Sequence, residues 1–97
     1  MPPIPKKTFN IPFSGGAATA VCLFKYTGKN GDTSSMNTSS TSVQYNADGT
    51  TVTFFGSAGA SLSASVNNGV MTVTLEYDTQ IRITDCRCCL IPGDPFA

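Results

Sequence analysis

Apolar residues alternate with polar ones along much of this chain, and this period of two is the strongest constraint on its fold. The segment 71–77 shows the alternation most clearly, with Met71, Val73, Leu75 and Tyr77 on one side and Thr72, Thr74 and Glu76 on the other. Successive side chains of a β-strand point to opposite faces, so the pattern predicts a half-buried strand with one wet face. Segments 61–66 and 79–84 repeat the pattern, and strong helix formers are scarce. The sequence therefore predicts an all-β protein.

Turn residues then predict which strands are neighbours. Asp48-Gly49 separates segments 43–47 and 50–55, and Asn67-Asn68-Gly69 separates segments 62–66 and 70–77. Such residues tolerate positive φ and are typical of tight hairpins. With segment 56–59 as a looser connection, we expect an antiparallel meander of about five strands over 43–84. Segments 9–13 and 17–26 raise the count to six or seven, which favours a small antiparallel β-sandwich or barrel.

The 97 residues suit one domain. Residues 1–8 carry Pro2, Pro3 and Pro5, which predicts an extended N-terminal arm. We expect deletion of this arm to spare the fold and to abolish binding to an assembly. Residues 9–90 then form a single β domain, with a long Ser/Thr-rich loop over 27–42 that is either functional or mobile. Residues 91–97 are expected to be an irregular C-terminal tail.

Segment 17–26 is apolar on both of its sides, which a small isolated sandwich does not need. Five residues share one side, and two share the other: Ala18, Ala20, Cys22, Phe24 and Tyr26 against Val21 and Leu23. Either the arm or a partner subunit could cover the second side, since exposed apolar patches mark interfaces. The interface candidates come from the arm and the first two predicted strands: Pro2, Pro3, Ile4, Pro5, Phe9, Ile11, Phe13, Phe24 and Tyr26.

Four cysteines form a possible disulfide or thiol cluster, namely Cys22, Cys86, Cys88 and Cys89. A bridge would join Cys22 to one of the other three, because adjacent cysteines pair only with strain. Disulfides belong to oxidising compartments, and no secretory signal is evident, so we expect free, partly buried thiols. Cys-Arg-Cys-Cys lacks the paired spacing of zinc sites, so we expect no metal.

The chemistry-bearing residues predict no enzyme and no cofactor. The chain has no His, which excludes His-based triads. Glu76 and Asp78 share one strand face, where we expect both to be solvated. Formal charge is zero and only 12% of residues are charged, against about 25% in ordinary domains. The absence of a positive field argues against nucleic-acid and membrane partners.

Together these features favour a non-enzymatic structural or interaction protein. The leading interpretation is a small virion component, of the phage capsid decoration or cement type, made in a host cytoplasm. It would bind neighbouring subunits through its arm and an apolar strand face, as a homo-oligomer or as part of a larger assembly. The alternative is a secreted, disulfide-stabilised β-sandwich that binds other molecules, of the adhesin or carbohydrate-binding type. Its ligand would contact the long loop and Tyr26, Tyr45 or Phe55.

Overall fold

The computed structural model describes residues 5–28, 36–56 and 59–93, and within these ranges it contains strands and no helix. The strands are β1 (Lys6–Pro12), β2 (Ala18–Thr27), β3 (Asn37–Tyr45), β4 (Thr51–Phe54), β5 (Ser61–Asn67), β6 (Val70–Glu76) and β7 (Arg82–Pro92). No helix that could cross a bilayer is found in this part of the chain. The prediction of an all-β fold is confirmed.

Two antiparallel sheets pack face to face around one core. One sheet has three strands in the order β1-β6-β5, and the other has four in the order β4-β3-β2-β7. The three-stranded sheet contributes Leu62, Met71, Val73 and Leu75, and the four-stranded sheet contributes Ala20, Cys22, Phe24 and Val43. Each set is spaced by two along its strands, because only alternate side chains face the opposite sheet. The predicted small β-sandwich is therefore confirmed.

Both predicted hairpins are present, but they do not form one meander. β3 pairs with β4, and β5 pairs with β6. β4 and β5 belong to different sheets, so the chain crosses from one layer to the other between them. β7 pairs with β2 rather than with β6. The five-stranded meander is therefore wrong, because turn chemistry specifies a hairpin but not the sheet in which that hairpin lies.

The tight turn between β5 and β6 follows its sequence. Asn68 and Gly69 both have positive φ, of 52° and 77°. Two such residues match the right-handed twist of the flanking strands, as expected for a two-residue hairpin. The turn between β3 and β4 differs from the expectation, since Asp48 is not among the residues with positive φ. There the Gly49 N–H donates to the Asn46 carbonyl oxygen over 2.9 Å.

Three segment boundaries are corrected by the structure. Residues 6–8 of the expected arm belong to β1 and pair with β6, so deletion of 1–8 would shorten a strand. Residues 37–42 of the expected long loop form the first part of β3, because their register on β2 is continuous. β7 runs to Pro92, two residues into the expected tail. Residues 1–4, 29–35 and 94–97 lie outside the described ranges.

Candidate interaction surface

The outer face of the three-stranded sheet is covered mainly by hydroxyl and amide groups. Residues directly opposite one another in neighbouring strands share a face, and this face is set by the pairs of β6 with β1 and β5. It carries Lys6, Thr8, Asn10, Pro12, Ser61, Ser63, Ser65, Asn67, Val70, Thr72, Thr74 and Glu76. The Thr72 hydroxyl donates to the Asn10 side-chain oxygen over 2.9 Å. Such a face is well solvated and offers little apolar area beyond the exposed side chain of Val70.

The outer face of the four-stranded sheet is more apolar, although Ser40 and Ser42 of β3 lie on it between the side chains of β2 and those of β4. The register of β2 with its neighbours places five apolar side chains on it, which we call the apolar face: Val21, Leu23, Val52, Phe54 and Ile91. Leu23 is 58% exposed, Ile91 53% and Val52 49%. Exposed Cys89 lies on the same face, directly opposite Val21. An apolar surface of this kind is typical of a protein-binding site.

A charged rim borders one end of the apolar face. Lys25 and Asp85 are opposite each other on β2 and β7, and Arg87 is opposite Leu23. Together with Thr38 and Ser40 of β3 they line an open groove of about 570 Å³. Apolar centres bordered by polar groups are the usual anatomy of protein interfaces.

A buried polar pair lies on the same side of the sheet as the apolar face. Thr19 and Gln44 lie opposite each other on β2 and β3, yet only 9% and 3% of their surfaces are exposed. The Thr19 hydroxyl donates to the Gln44 side-chain oxygen, and the Gln44 amide donates to the Tyr45 carbonyl oxygen. A buried polar group is tolerated when it is hydrogen-bonded. The pair therefore gives this end of the sheet a defined side-chain arrangement.

The interface candidates from the sequence lie mostly against the core. Phe24 is 2% exposed and belongs to the core itself. Four others are partly buried and packed against it, namely Phe9, Ile11, Phe13 and Tyr26. The Pro5 carbonyl oxygen accepts a hydrogen bond from the Tyr77 N–H. Pro2, Pro3 and Ile4 lie outside the described residues. Of segment 17–26, only Val21 and Leu23 contribute to the apolar face.

The cysteines are arranged differently from the expectation of free thiols. Cys22 and Cys88 form a disulfide between directly opposite positions of β2 and β7. Cys86 and Cys89 are free. Burial raises the pKa of the Cys86 thiol, and the positive charge of Lys7 partly opposes this shift. Within the described ranges, no three Cys, Asp or Glu residues are placed to hold a metal ion.

Glu76 and Asp78 have different structural surroundings. Glu76 ends β6 on the outer face of the three-stranded sheet, opposite Lys6. Asp78 lies beyond the strand, where its side-chain oxygen accepts the Gln80 N–H over 2.9 Å. The Asp78 carboxylate therefore stabilises a turn and is not part of a cleft with Glu76.

Three members of the apolar face were not identified from the sequence. Val52 and Phe54 alternate with threonines, and such a pattern ordinarily predicts that the apolar side faces the core. In the structure the two sides are exchanged: Val52 and Phe54 face outward and Thr53 faces the core. The Thr53 hydroxyl donates to the Leu62 carbonyl oxygen. The sequence places Ile91 in the irregular tail, whereas the structure places it in β7. The apolar residues of segment 50–55 are the sequence signal for this surface, but the face that they occupy depends on the register of β4 with β3.

Comparison with known proteins gives no relative from which a function could be transferred. No family model matches the chain, and neither a curated protein nor a solved structure matches it. The function is therefore argued from the surface described above.

Proposed function

We propose that this protein is a non-enzymatic interaction module that attaches to a larger protein assembly through the apolar face. The most specific version of this proposal is the interpretation that the sequence favours, namely a small virion component of the capsid decoration or cement type. In this proposal the β-sandwich is a rigid support, and binding is its activity.

The observation that carries this proposal is the difference between the two outer faces. Both faces belong to sheets that bury their inner side chains in the same core. One outer face presents hydroxyl and amide groups, while the other leaves Leu23 more than half exposed. Exposed apolar area costs free energy in water, at roughly 25 cal/mol per Å². Burial of the apolar face against another protein would recover that free energy.

The charges around the apolar face also support attachment to a protein. The whole chain has six basic and six acidic residues, so its net charge is zero. A neutral subunit can pack beside many copies of itself without long-range repulsion. Lys25, Asp85 and Arg87 at the rim supply both signs of charge, which would give orientation to a contact that apolar burial drives.

Attachment is tested by Leu23→Ser, which removes the most exposed apolar side chain of the apolar face. The matched control is Val70→Ser, which removes an exposed apolar side chain from the outer face of the three-stranded sheet. High-mass particles from cells that make the tagged protein are separated on a density gradient and probed for the tag. We expect the native protein and Val70→Ser to band with the particles, and Leu23→Ser to remain at the top of the gradient.

Circular dichroism and thermal unfolding of both variants establish that the comparison concerns binding. Native protein that never bands with any particle would contradict the proposed function. So would equal banding of the native protein and folded Leu23→Ser.

The Cys22–Cys88 disulfide favours a second candidate, a secreted binding module. Disulfides persist mainly in oxidising compartments. For this candidate the exposed ring of Phe55 is available to a ligand, whereas Tyr26 and Tyr45 are half-buried beside Phe24 and Phe13. Fractionation of the producing cells, with thiol alkylation before mass spectrometry, separates the two. An oxidised protein in the medium supports secretion, and one found only on particles supports the virion component.

A further inference from the structure

Positive charge is concentrated on the outer face of the four-stranded sheet. The exposed side chains of Lys25 and Arg87 lie on this face. Exposed Arg82 lies opposite Thr27, which is two residues beyond Lys25 on the same side of β2. Asp85, opposite Lys25, is the only acidic residue that the described strands place on this face. Three basic side chains therefore share the face with one carboxylate, although the whole chain has a net charge of zero.

The outer face of the three-stranded sheet has no such excess. Its register places Lys6 directly opposite Glu76, and the other residues that the described strands place on this face are uncharged. Of the two outer faces, as far as the described strands form them, only the one that includes the apolar face has unbalanced positive charge.

Arg87 has no acidic residue directly across the sheet from it. The register places Arg87 opposite Leu23, and Ser40 lies opposite Leu23 on the other side. Asp85 lies directly opposite Lys25, and directly opposite residues of unlike charge form the favourable cross-strand pair. Because one carboxylate cannot neutralise three cations, the guanidinium group of Arg87 remains able to bind a further anion.

The surroundings of Arg87 specify the kind of anion. A guanidinium group binds a carboxylate through two parallel N–H···O hydrogen bonds. Leu23, directly beside it, is 58% exposed, and the side chains of Thr38 and Ser40 line the same open groove. A carboxylate attached to an apolar group fits this groove, because the apolar group covers Leu23 while the carboxylate reaches Arg87 and the hydroxyl groups.

A protein fits this chemistry better than a nucleic acid does. The apolar side chains of β2 that lie beside the cations are the aliphatic ones of Val21 and Leu23. Proteins that bind single-stranded nucleic acid stack the bases on aromatic rings instead. A phosphate backbone would pair with the cations and leave these aliphatic side chains in water.

We propose that the groove around Arg87 binds an acidic segment of the partner protein, with a glutamate or aspartate carboxylate on the guanidinium group and an apolar side chain on Leu23. This inference rests on the proposed function, which it deepens by naming the chemistry of the partner. Charge complementarity orients the contact, while burial of apolar area stabilises it. Asp85 repels the acidic segment, so its neutralisation should strengthen binding.

Two synthetic peptides test the site on the purified, oxidised protein. One is an acetylated and amidated hexapeptide in which a leucine lies between two glutamates at alternate positions, and the other has glutamine in place of both glutamates. Proton–nitrogen correlation NMR spectra give the dissociation constant and locate the bound peptide. The glutamate peptide should bind about fivefold more tightly and shift the amide signals of residues 23–25, 38–40 and 85–87. About 1 M salt, where the Debye length is about 3 Å, should remove most of this difference.

Variants of opposite sign separate carboxylate recognition from apolar attraction. Arg87→Gln should raise the dissociation constant of the glutamate peptide about threefold, and Asp85→Asn should lower it about threefold, because they remove opposite charges from one groove. The control Lys6→Gln removes a cation from the outer face of the three-stranded sheet and should leave binding unchanged. Signal dispersion in the same spectra establishes that each variant is folded.

The inference is wrong if the two peptides bind equally, or if Asp85→Asn binds the glutamate peptide no more tightly than the native protein does. It is also wrong if an oligothymidylate binds the same residues more tightly than the glutamate peptide, since the groove would then recognise phosphate.

These titrations contain no particles, so this inference and the proposed function fail separately. Equal binding of the two peptides by a protein that bands with particles would overturn the inference and leave attachment standing. Preference for the glutamate peptide by a protein that never bands would overturn attachment and leave the groove as a binding site for acidic peptides.

Discussion

The side chain of Asp48 holds the turn between β3 and β4 in its conformation. One carboxylate oxygen accepts the Thr50 N–H over 3.0 Å and the Thr50 hydroxyl over 2.6 Å. The Asn46 side-chain amide donates to that same hydroxyl oxygen over 3.0 Å. Because both Thr50 hydrogen bonds favour the ionised carboxylate, they hold the pKa of Asp48 below its ordinary value.

The lowered pKa of Asp48 predicts a pH-dependent contribution to stability. A carboxyl group whose pKa is lower in the folded chain stabilises the fold above its unfolded pKa, and this contribution is lost as pH falls through the folded pKa. We expect the free energy of unfolding to fall less on acidification in Asp48→Asn than in the native protein. Urea unfolding across the acidic range measures the difference.

Glu76→Gln is the control for this prediction, because it removes a carboxylate without changing the turn. The native protein and Asp48→Asn should converge in stability at the lowest pH. A difference between them that stays constant with pH would contradict the role given to Asp48.

At the scale of elements, hairpins were predictable and sheet membership was not. Asn68-Gly69 favours a tight hairpin between the two strands that flank it, whichever sheet those strands belong to. The partner of β7 depends instead on contacts between residues about 60 positions apart, such as Cys22 and Cys88 with a separation of 66. The outward direction of Val52 and Phe54 has the same origin, because a one-residue change of register exchanges the two faces of a strand.

The crossing from β4 to β5 depends on a close approach at Gly56. A Cβ atom at this position would lie 2.2 Å from the Ser40 carbonyl oxygen of β3. The Gly56 N–H donates to the Ala60 carbonyl oxygen over 3.0 Å, which holds the segment in place. The chain can therefore approach β3 this closely at residue 56 only because glycine has no side chain.

Gly56→Ala should consequently lower the free energy of unfolding by about 3 kcal/mol, near the upper end for overpacking. Denaturant unfolding measures the loss. The control is Gly16→Ala, where a Cβ meets no atom within 4 Å but φ is +83°. Backbone strain alone should cost that variant roughly 1–2 kcal/mol. A Gly56→Ala protein as stable as the native one would show that the crossing does not contact β3.

At the scale of the whole molecule, the disulfide joins strands from the two ends of the chain. The sequence restricted the bridge to Cys22 and one of three cysteines near the C-terminus. The choice among them requires the register of β2 with β7, in which Cys22 lies opposite Cys88, Phe24 opposite Cys86 and Val21 opposite Cys89. Only one of the three cysteines thus directly faces Cys22, and no local pattern in the sequence contains this information.

Reduction of the disulfide should lower the free energy of unfolding by about 4 kcal/mol, because the bridge closes a loop with a sequence separation of 66. Domains of this size have only about 5–15 kcal/mol in total, so the reduced protein should be marginally stable. Urea unfolding with and without reductant measures the change. The variant Cys22→Ala with Cys88→Ala should be insensitive to reductant, whereas the control Cys89→Ser should respond as the native protein does. Equal stability of the oxidised and reduced native protein would contradict the prediction, and β2 and β7 would then be held together by their backbone pairing and side-chain packing alone.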